Sequence, residues 1–291
     1  MKKGLFTILF FSLIMLNGCR PRTVETGQPR PDVNEPAYPV TISVNANRRD
    51  HALTAWNEII SSQGITNAPE PLLHPVTARI NQLPQFQNQS VTLPKVGEGT
   101  PMSEDETRES LRRFVRGGGS LICGTNPQLS LIDRIDEENG TKRAIYRQNL
   151  FRYPLRGEFG QIEVVFNSSR QILQLKSMCL PTSELLQRSV LELKPDANLN
   201  TESLTEKIKT ELPIEVKDTD GKIKFSIDEP QTLELKELVV FTRSETTPSE
   251  KVLLHLAWEA KYGNATVYLD AMTGKLLSAT EINPAASVTT K

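Results

Sequence analysis

The run Leu256-Ala257-Trp258-Glu259, followed a few residues later by Val267-Tyr268-Leu269-Asp270-Ala271-Met272-Thr273-Gly274-Lys275-Leu276-Leu277, decides the fold. It reads as apolar strands joined by a tight turn. The Asp270 side chain can accept main-chain N–H bonds across that turn, and Gly274 supplies a positive φ. Trp258 is the expected large core residue of the sheet. Working outward, Leu235 to Thr242, Val252 to Ala260, Ala265 to Asp270 and Leu276 to Thr280 form a strand series. Before it, Ile214 to Lys217 and Ile223 to Ile227 flank Asp220-Gly221, a hairpin signal. Ser203 to Leu212, with Leu204, Ile208 and Leu212 at four-residue spacing, reads as a short helix.

The same grammar occurs once earlier in the chain. Ser103-Glu104-Asp105-Glu106 is a capping box with acids in the first turn, Leu111, Phe114 and Val115 supply an apolar stripe, and Gly117-Gly118-Gly119 is expected to end the helix. Strand-like runs follow at Leu129 to Ile135, Lys142 to Gln148, Gln161 to Asn167 and Gln171 to Lys176, with Asn139-Gly140 as a hairpin turn. One helix followed by an antiparallel meander, twice over, predicts an α+β fold of two small modules in tandem, residues 103–180 and 181–282. Upstream, residues 47–64 read as a helix with Leu53, Trp56, Ile59 and Ile60 on one face, stopped by Gly64. Ala68 to Pro101 holds six prolines and little periodicity, which predicts an irregular covering segment or linker. The block 47–102 as a whole matches no recognised unit.

The motifs resemble two families. The run 256–277 is similar to the end of a PepSY module, whose pattern is Leu-x-Trp, an aromatic-flanked strand, Asp-Ala-x-Thr-Gly and an apolar strand; Trp258, Asp270, Thr273 and Gly274 carry it. Gln148-Asn149-Leu150-Phe151-Arg152-Tyr153-Pro154-Leu155-Arg156-Gly157 resembles the signature of the fungalysin/thermolysin propeptide (FTP) domain through Gln148, Pro154 and Gly157. Arg152 stands where that family usually has its first Gly, and Ser169-Arg170 replaces a later Asp-Gly turn. The resemblances together span roughly residues 103–282 and imply cystatin-like, propeptide-type modules. Such modules usually precede a thermolysin-like peptidase, assisting its folding and holding it inactive. After Ile282 only a tail, 283–291, remains, so the expectation is a free-standing propeptide-like protein without a peptidase domain.

The N-terminus predicts the compartment. Lys2 and Lys3 precede an apolar run from Leu5 to Leu16, shorter than the ~20 residues a membrane span needs. That order is a secretory signal. It ends in Leu16-Asn17-Gly18-Cys19, which resembles a bacterial lipobox, implying removal of residues 1–18 and lipidation of Cys19. An ordinary signal with an incidental cysteine is the alternative. Several acyl chains on Cys19 would anchor stably where one would not. Residues 19–46 follow as a Pro-rich tether. The expected location is the bacterial cell envelope, outside the cytoplasm and held to a membrane through the lipid.

Composition excludes some classes. The 34 Lys+Arg and 35 Asp+Glu give a formal net charge of −1, which offers no basic field for nucleic acid. His51, His74 and His255 are too far apart for a His-Glu-x-x-His zinc site. His255 alternates with Leu254 and Leu256, so it is expected to face out or to lie beside Glu259. Ser120 follows three glycines, but Ile122 breaks the Gly-x-Ser-x-Gly pattern, and no phosphate-binding loop is present. Asp218-Thr219-Asp220-Gly221 has its glycine too early for a calcium loop. No catalytic residue, metal ligand or cofactor is therefore expected. Cys123 and Cys179 bracket the first module; an oxidising envelope favours a disulfide between them, and two buried free thiols are the alternative.

The residues and resemblances together predict a non-catalytic, membrane-anchored binding protein that inhibits or chaperones a secreted or envelope metallopeptidase of thermolysin type. The alternative is a structural or adaptor lipoprotein that uses the modules for protein–protein interaction, with residues 47–101 as its partner surface.

Overall fold

A computed structural model describes residues 37–99, 101–124, 128–136, 140–212, 215–217, 223–226, 233–245 and 251–281, all within one compact unit that spans residues 36–291. The signal segment, Cys19, most of the tether, Asn139, the Asp220-Gly221 turn and the tail lie outside the described residues.

The chain enters as a short strand, β1 (Val40–Ser43), and turns into helix α1 (Ala46–Ser62). Asn45 caps that helix by accepting a bond from Arg48 N. Ala52, Ala55, Trp56, Ile59 and Ile60 form its buried face. The proline-rich stretch that follows is a cover. It forms the small hairpin β2 (Leu72–Leu73) and β3 (Ile80–Gln82), and Ala78, Ile80, Val91 and Leu93 are buried in the same core as α1. Trp56 Nε1 donates to the carbonyl of Pro69, and Gln63 exchanges side-chain bonds with the main chain of Thr92, so the irregular backbone is tied to the helix.

Helix α2 (Glu104–Gly117) starts at the expected capping box. Its end departs from expectation. Gly118 is the cap in right-handed conformation, and the chain runs straight on into a single turn, α3 (Gly119–Ile122), with the positive φ at Gly119. The physical reason is packing: Ile122 folds back onto Gly118, where an added Cβ would sit 2.3 Å from its Cδ1.

Strands β4 (Leu129–Asp136), β5 (Thr141–Gln148), β6 (Leu155–Gly157), β7 (Gln161–Asn167) and β8 (Ile172–Ser177) follow. Four of them make an antiparallel sheet in the order β4-β5-β7-β8, with α1, α2 and α3 contributing to the core against it. Alternation is clean in β7, where Ile162, Val164 and Phe166 point inward.

Helices α4 (Glu184–Leu191) and α5 (Thr201–Glu211), capped by Ser183 and Asn200, lead into the second half. The pair β9 (Glu215–Lys217) and β10 (Ile223–Ser226) is followed by β11 (Leu233–Glu245), β12 (Lys251–Tyr262), β13 (Ala265–Asp270) and β14 (Leu276–Glu281). The second sheet runs β14-β13-β12-β11-β6, and β1 also pairs with β12. The fold is mixed α+β with two sheet modules, each covered by helices. Two of the second sheet's strands, however, come from elsewhere in the chain. β1 lies in the segment expected as tether, and β6 leaves the first meander to pair in parallel with β11. Both are too short, at four and three residues, to announce themselves by periodicity.

Cys123 and Cys179 are joined, both fully buried, with Cα atoms 5.3 Å apart. The bond ties the end of α3 to the exit of β8 across 56 residues of chain. A loop of that length stabilises by about 4 kcal/mol in the chain-entropy model. Replacing both cysteines by alanine is expected to lower unfolding free energy by up to that amount, read from urea denaturation of the variant beside the parent protein.

Candidate functional site

The turn after β13 is built around one carboxylate. Asp270 Oδ1 accepts the main-chain N–H of Met272 and of Thr273, each at 2.9 Å, and the Asp270 carbonyl accepts Gly274 N at 2.7 Å. Gly274 has φ +73, and an added Cβ would meet Lys207 Nζ at 2.6 Å, because that lysine donates to the Thr273 carbonyl from α5. The turn thus has its own internal bonds and also seats a helix.

The other carboxylate oxygen faces inward. Asp270 Oδ2 accepts the Tyr38 hydroxyl at 2.7 Å and meets His255 Nδ1 at 2.8 Å, and the two rings stand edge to face with centroids 5.7 Å apart. His255 is 5% exposed, so it does not face solvent as alternation along β12 suggested. It does share the face of Glu259, but β12 is flanked by β11 on one side and by β1 and β13 on the other, and Tyr38 closes the gap between those two. Strands buried on both faces lose the inward-outward contrast that alternation relies on. His255 Nε2 is buried without a partner among the described residues.

This cluster has the residue types of an acid–base site but is closed. Burial alone would raise the Asp270 carboxyl; the bonds from His255, Tyr38 and the main chain of Met272 and Thr273 outweigh it and hold the group below the usual aspartate value. Burial, with the adjacent Asp270 carboxylate, pushes the Tyr38 phenol far above its ordinary range, so it stays a donor. Chemically, the arrangement fastens residue 38 to the second sheet 232 positions away.

Trp258 lies on the helix-covered face, partly buried between the clusters beneath α4 and α5. Its Nε1 is buried and has no partner among the described residues. Gln148, fully interior, clamps the end of the first module: its side chain donates to the Leu180 carbonyl at 3.0 Å and accepts Leu180 N at 2.8 Å. Pro154 offers its carbonyl to Val240 N at 2.9 Å, at the start of the β6–β11 pairing. At Gly157, φ is +89 and an added Cβ would lie 2.1 Å from the Thr242 carbonyl oxygen. Arg156, between them, binds Glu259 at 2.7 Å and Glu237 at 2.9 Å. The FTP-like and PepSY-like positions therefore hold backbone in place, and they do not converge on one cleft. Among the described residues no group of three or more His, Cys, Asp and Glu side chains is disposed to hold a metal ion.

Tyr38, Arg156 and Thr242 are essential to this arrangement and were not singled out from the sequence. Tyr38-Pro39 at the end of a proline-rich stretch was the one available signal, a large aromatic where an unpacked tether has no use for one.

The fold is a two-module α+β one, and the side chains of Gln148 and Asp270 bond within it. No family model and no curated protein matches the sequence. Among solved structures, the Bacillus megaterium YpeB C-terminal domain is similar at a TM-score of 0.30 and 8% identity, over 83% of this chain and 99% of that one. At that TM-score the likeness adds nothing to the fold described by the strand pairing.

Because Asp270 is held below its usual value, its contribution to stability is present above the unfolded aspartate pKa, near 4, and is lost as pH falls through the folded value. Asp270→Asn is expected to reduce stability at pH 7 and to flatten the acid limb below about pH 4. Urea titrations of both proteins between pH 3 and pH 7 check this; parallel acid limbs would place the dependence on other groups.

Proposed function

We propose that this chain is a non-catalytic binding protein of the bacterial cell envelope, anchored through lipid on Cys19, that receives a secreted or envelope metallopeptidase and restrains it or assists its folding. One observation carries the reading. The polar residues that mark the two propeptide-like modules, Gln148, Asp270 and Thr273, direct their side-chain bonds to the protein's own main chain and interior. What is left for a partner is sheet edge and surface. Binding by edge and surface suits a propeptide-like protein, because main-chain pairing supplies affinity without a reactive group.

The adaptor reading has a separate observation in its favour. A groove of about 670 Å³ lies between α1, residues 90–95 and α2, and Glu58, Lys95 and Arg113 are among its lining residues. It falls largely in the block that resembles no family. That block also supplies Trp56, Ile59, Ile60 and Leu93 to the core, so deleting it would unfold the first module and test nothing about partners. Surface substitutions such as Lys95→Glu are the appropriate probe.

The deciding experiment captures partners of the tagged full chain from detergent-solubilised envelope and secreted fractions of its host, identifies them by mass spectrometry, and assays any captured metallopeptidase with and without the protein. The expected result is a metallopeptidase among the partners whose activity falls, or whose active yield rises, with the protein present. Envelope assembly proteins with no peptidase, lost in Lys95→Glu, would replace this reading with the adaptor.

A further inference from the structure

The entering strand β1 has an open side. Its register with β12 runs from Val40↔Leu254 to Ser43↔Lys251 without a bulge, and β12 is its only partner among the described residues. Val40 and Ile42 point into the core, and Thr41 and Ser43 are exposed. Edge strands are usually blunted by a charge, a proline or a bulge within the strand, because their free N–H and C=O groups invite another strand. Val-Thr-Ile-Ser has none of these. Beside it lies a groove of about 500 Å³ whose far wall is the start of α4, with Thr182, Ser183 and the 75%-exposed Leu185 along it.

The charge at the end of this groove is one-sided. Arg48 is the charged residue among its lining, and it folds back so that Nη2 donates to the Ser43 carbonyl, leaving Nη1 buried and unpartnered. A second guanidinium, Arg79, is only 7% exposed; its Nη1 donates to the Ser120 carbonyl and its Nε is buried and unpartnered. The two guanidiniums repel each other, and neither has an ion-pair partner among the described residues. Burial, then the charge of Arg48, lowers the Arg79 pKa to about 10. Arg48 and Arg49 moreover sit in the first turn of α1, which has no acidic residue there, although the positive end of a helix dipole disfavours cations. Arg49 reaches Glu70 on the exposed surface; Arg48 does not. Arg79 is buried and Arg48 partly so; a cation lacking an anion in such a place is costly to the folded state, and an arriving carboxylate would offset the desolvation and weaken the repulsion.

We propose that the groove between β1 and α4 receives a strand of a partner protein that carries a carboxylate, pairing along the free side of β1 and setting that carboxylate against Arg48. Main-chain bonds to β1 supply the general affinity, Leu185 and Leu186 offer apolar contact, and Arg48 selects for the acid. The site rests on the reading of the chain as a binding protein and names where that binding occurs.

The test uses the full chain in detergent and a library of end-blocked hexapeptides in which valine, threonine, leucine, glutamate and glutamine are varied at each position. The expected result is retention of peptides with glutamate fixed at one position. Binding should weaken about tenfold or more when that glutamate is replaced by glutamine, as loss of a charged hydrogen bond predicts. Arg48→Gln should abolish the preference for glutamate. Leu185→Glu, at an exposed position that does not disturb folding, should repel the same peptides, and N-methylation of alternate peptide amides should stop binding by removing strand pairing. Retention without an acidic preference, a preference unchanged in Arg48→Gln and Leu185→Glu, or no retention overturns the proposal. So does a concentration-dependent dimer in sedimentation with no peptide retained, which would put a second copy of the chain in the groove. No peptidase enters this assay, so its failure leaves the inhibition experiment standing, and failure of that experiment leaves the groove standing.

Discussion

The two sheets are joined where the main chain at Gly157 crosses the main chain at Thr242 more closely than any side chain permits. Thr242 is fully buried, and its hydroxyl donates to the Arg156 carbonyl and accepts Phe159 N, while its own carbonyl accepts Glu158 N. One residue of β11 thereby satisfies three polar groups of the segment that departs from the first meander. A departing strand otherwise carries unpaired main chain into an apolar region, where each orphaned group costs folding free energy. The arrangement turns two modules that follow one another in sequence into a shared structure, since the second sheet is incomplete without three residues of the first.

The other end of that sheet is completed by the chain's entrance. β1 and β13 occupy successive lengths of the same side of β12, and neither reaches the interval around His255 and Leu256. Tyr38 fills it, with its hydroxyl on the buried carboxylate of Asp270. Because that carboxylate is already oriented by the N–H groups of the turn, Tyr38 and His255 bind an acceptor that has little freedom left to lose. Local turn chemistry and a contact over more than two hundred residues thus depend on the same two oxygen atoms.

What the sequence made legible follows from that distinction. The helices at 46–62, 104–117 and 201–211, the long strands, and the turn at Asp270 and Gly274 were readable because their causes lie within a few residues of their effects: periodicity, capping side chains, a carboxylate two or three positions from the N–H groups it binds. β1, β6 and the burial of His255 were not, because each depends on a neighbour far along the chain. Gly157 shows both sides. A resemblance marked the residue, but the reason for it is the carbonyl of a residue 85 positions later, which no local pattern records. The proline-rich stretch before α2 is the irregular cover that its sequence suggests, but which of its residues are core was not legible: Val91 and Leu93 are fully buried in backbone that follows neither a helical nor a strand period.

The buried charges divide into two kinds, and the division separates structure from recognition. Asp270 is an anion with four donors around it, and Arg156, partly buried, has two carboxylates. These groups are satisfied within the fold, so a ligand would gain nothing by approaching them. Arg48 and Arg79 are the reverse: each bonds one main-chain carbonyl, keeps a buried nitrogen without a partner among the described residues, and lies within the field of the other. A folded protein tolerates such a pair at a cost that other contacts must offset, and an arriving anion would reduce that cost. Arg48, unlike Asp270, lines an open groove beside a strand edge, with Arg79 buried behind it. The same physical rule, that buried charge requires a partner, therefore explains why the residues most like an active site in this molecule are bonded to one another and to the turn. It also explains why two arginines that carry no motif are the groups with binding energy still to give.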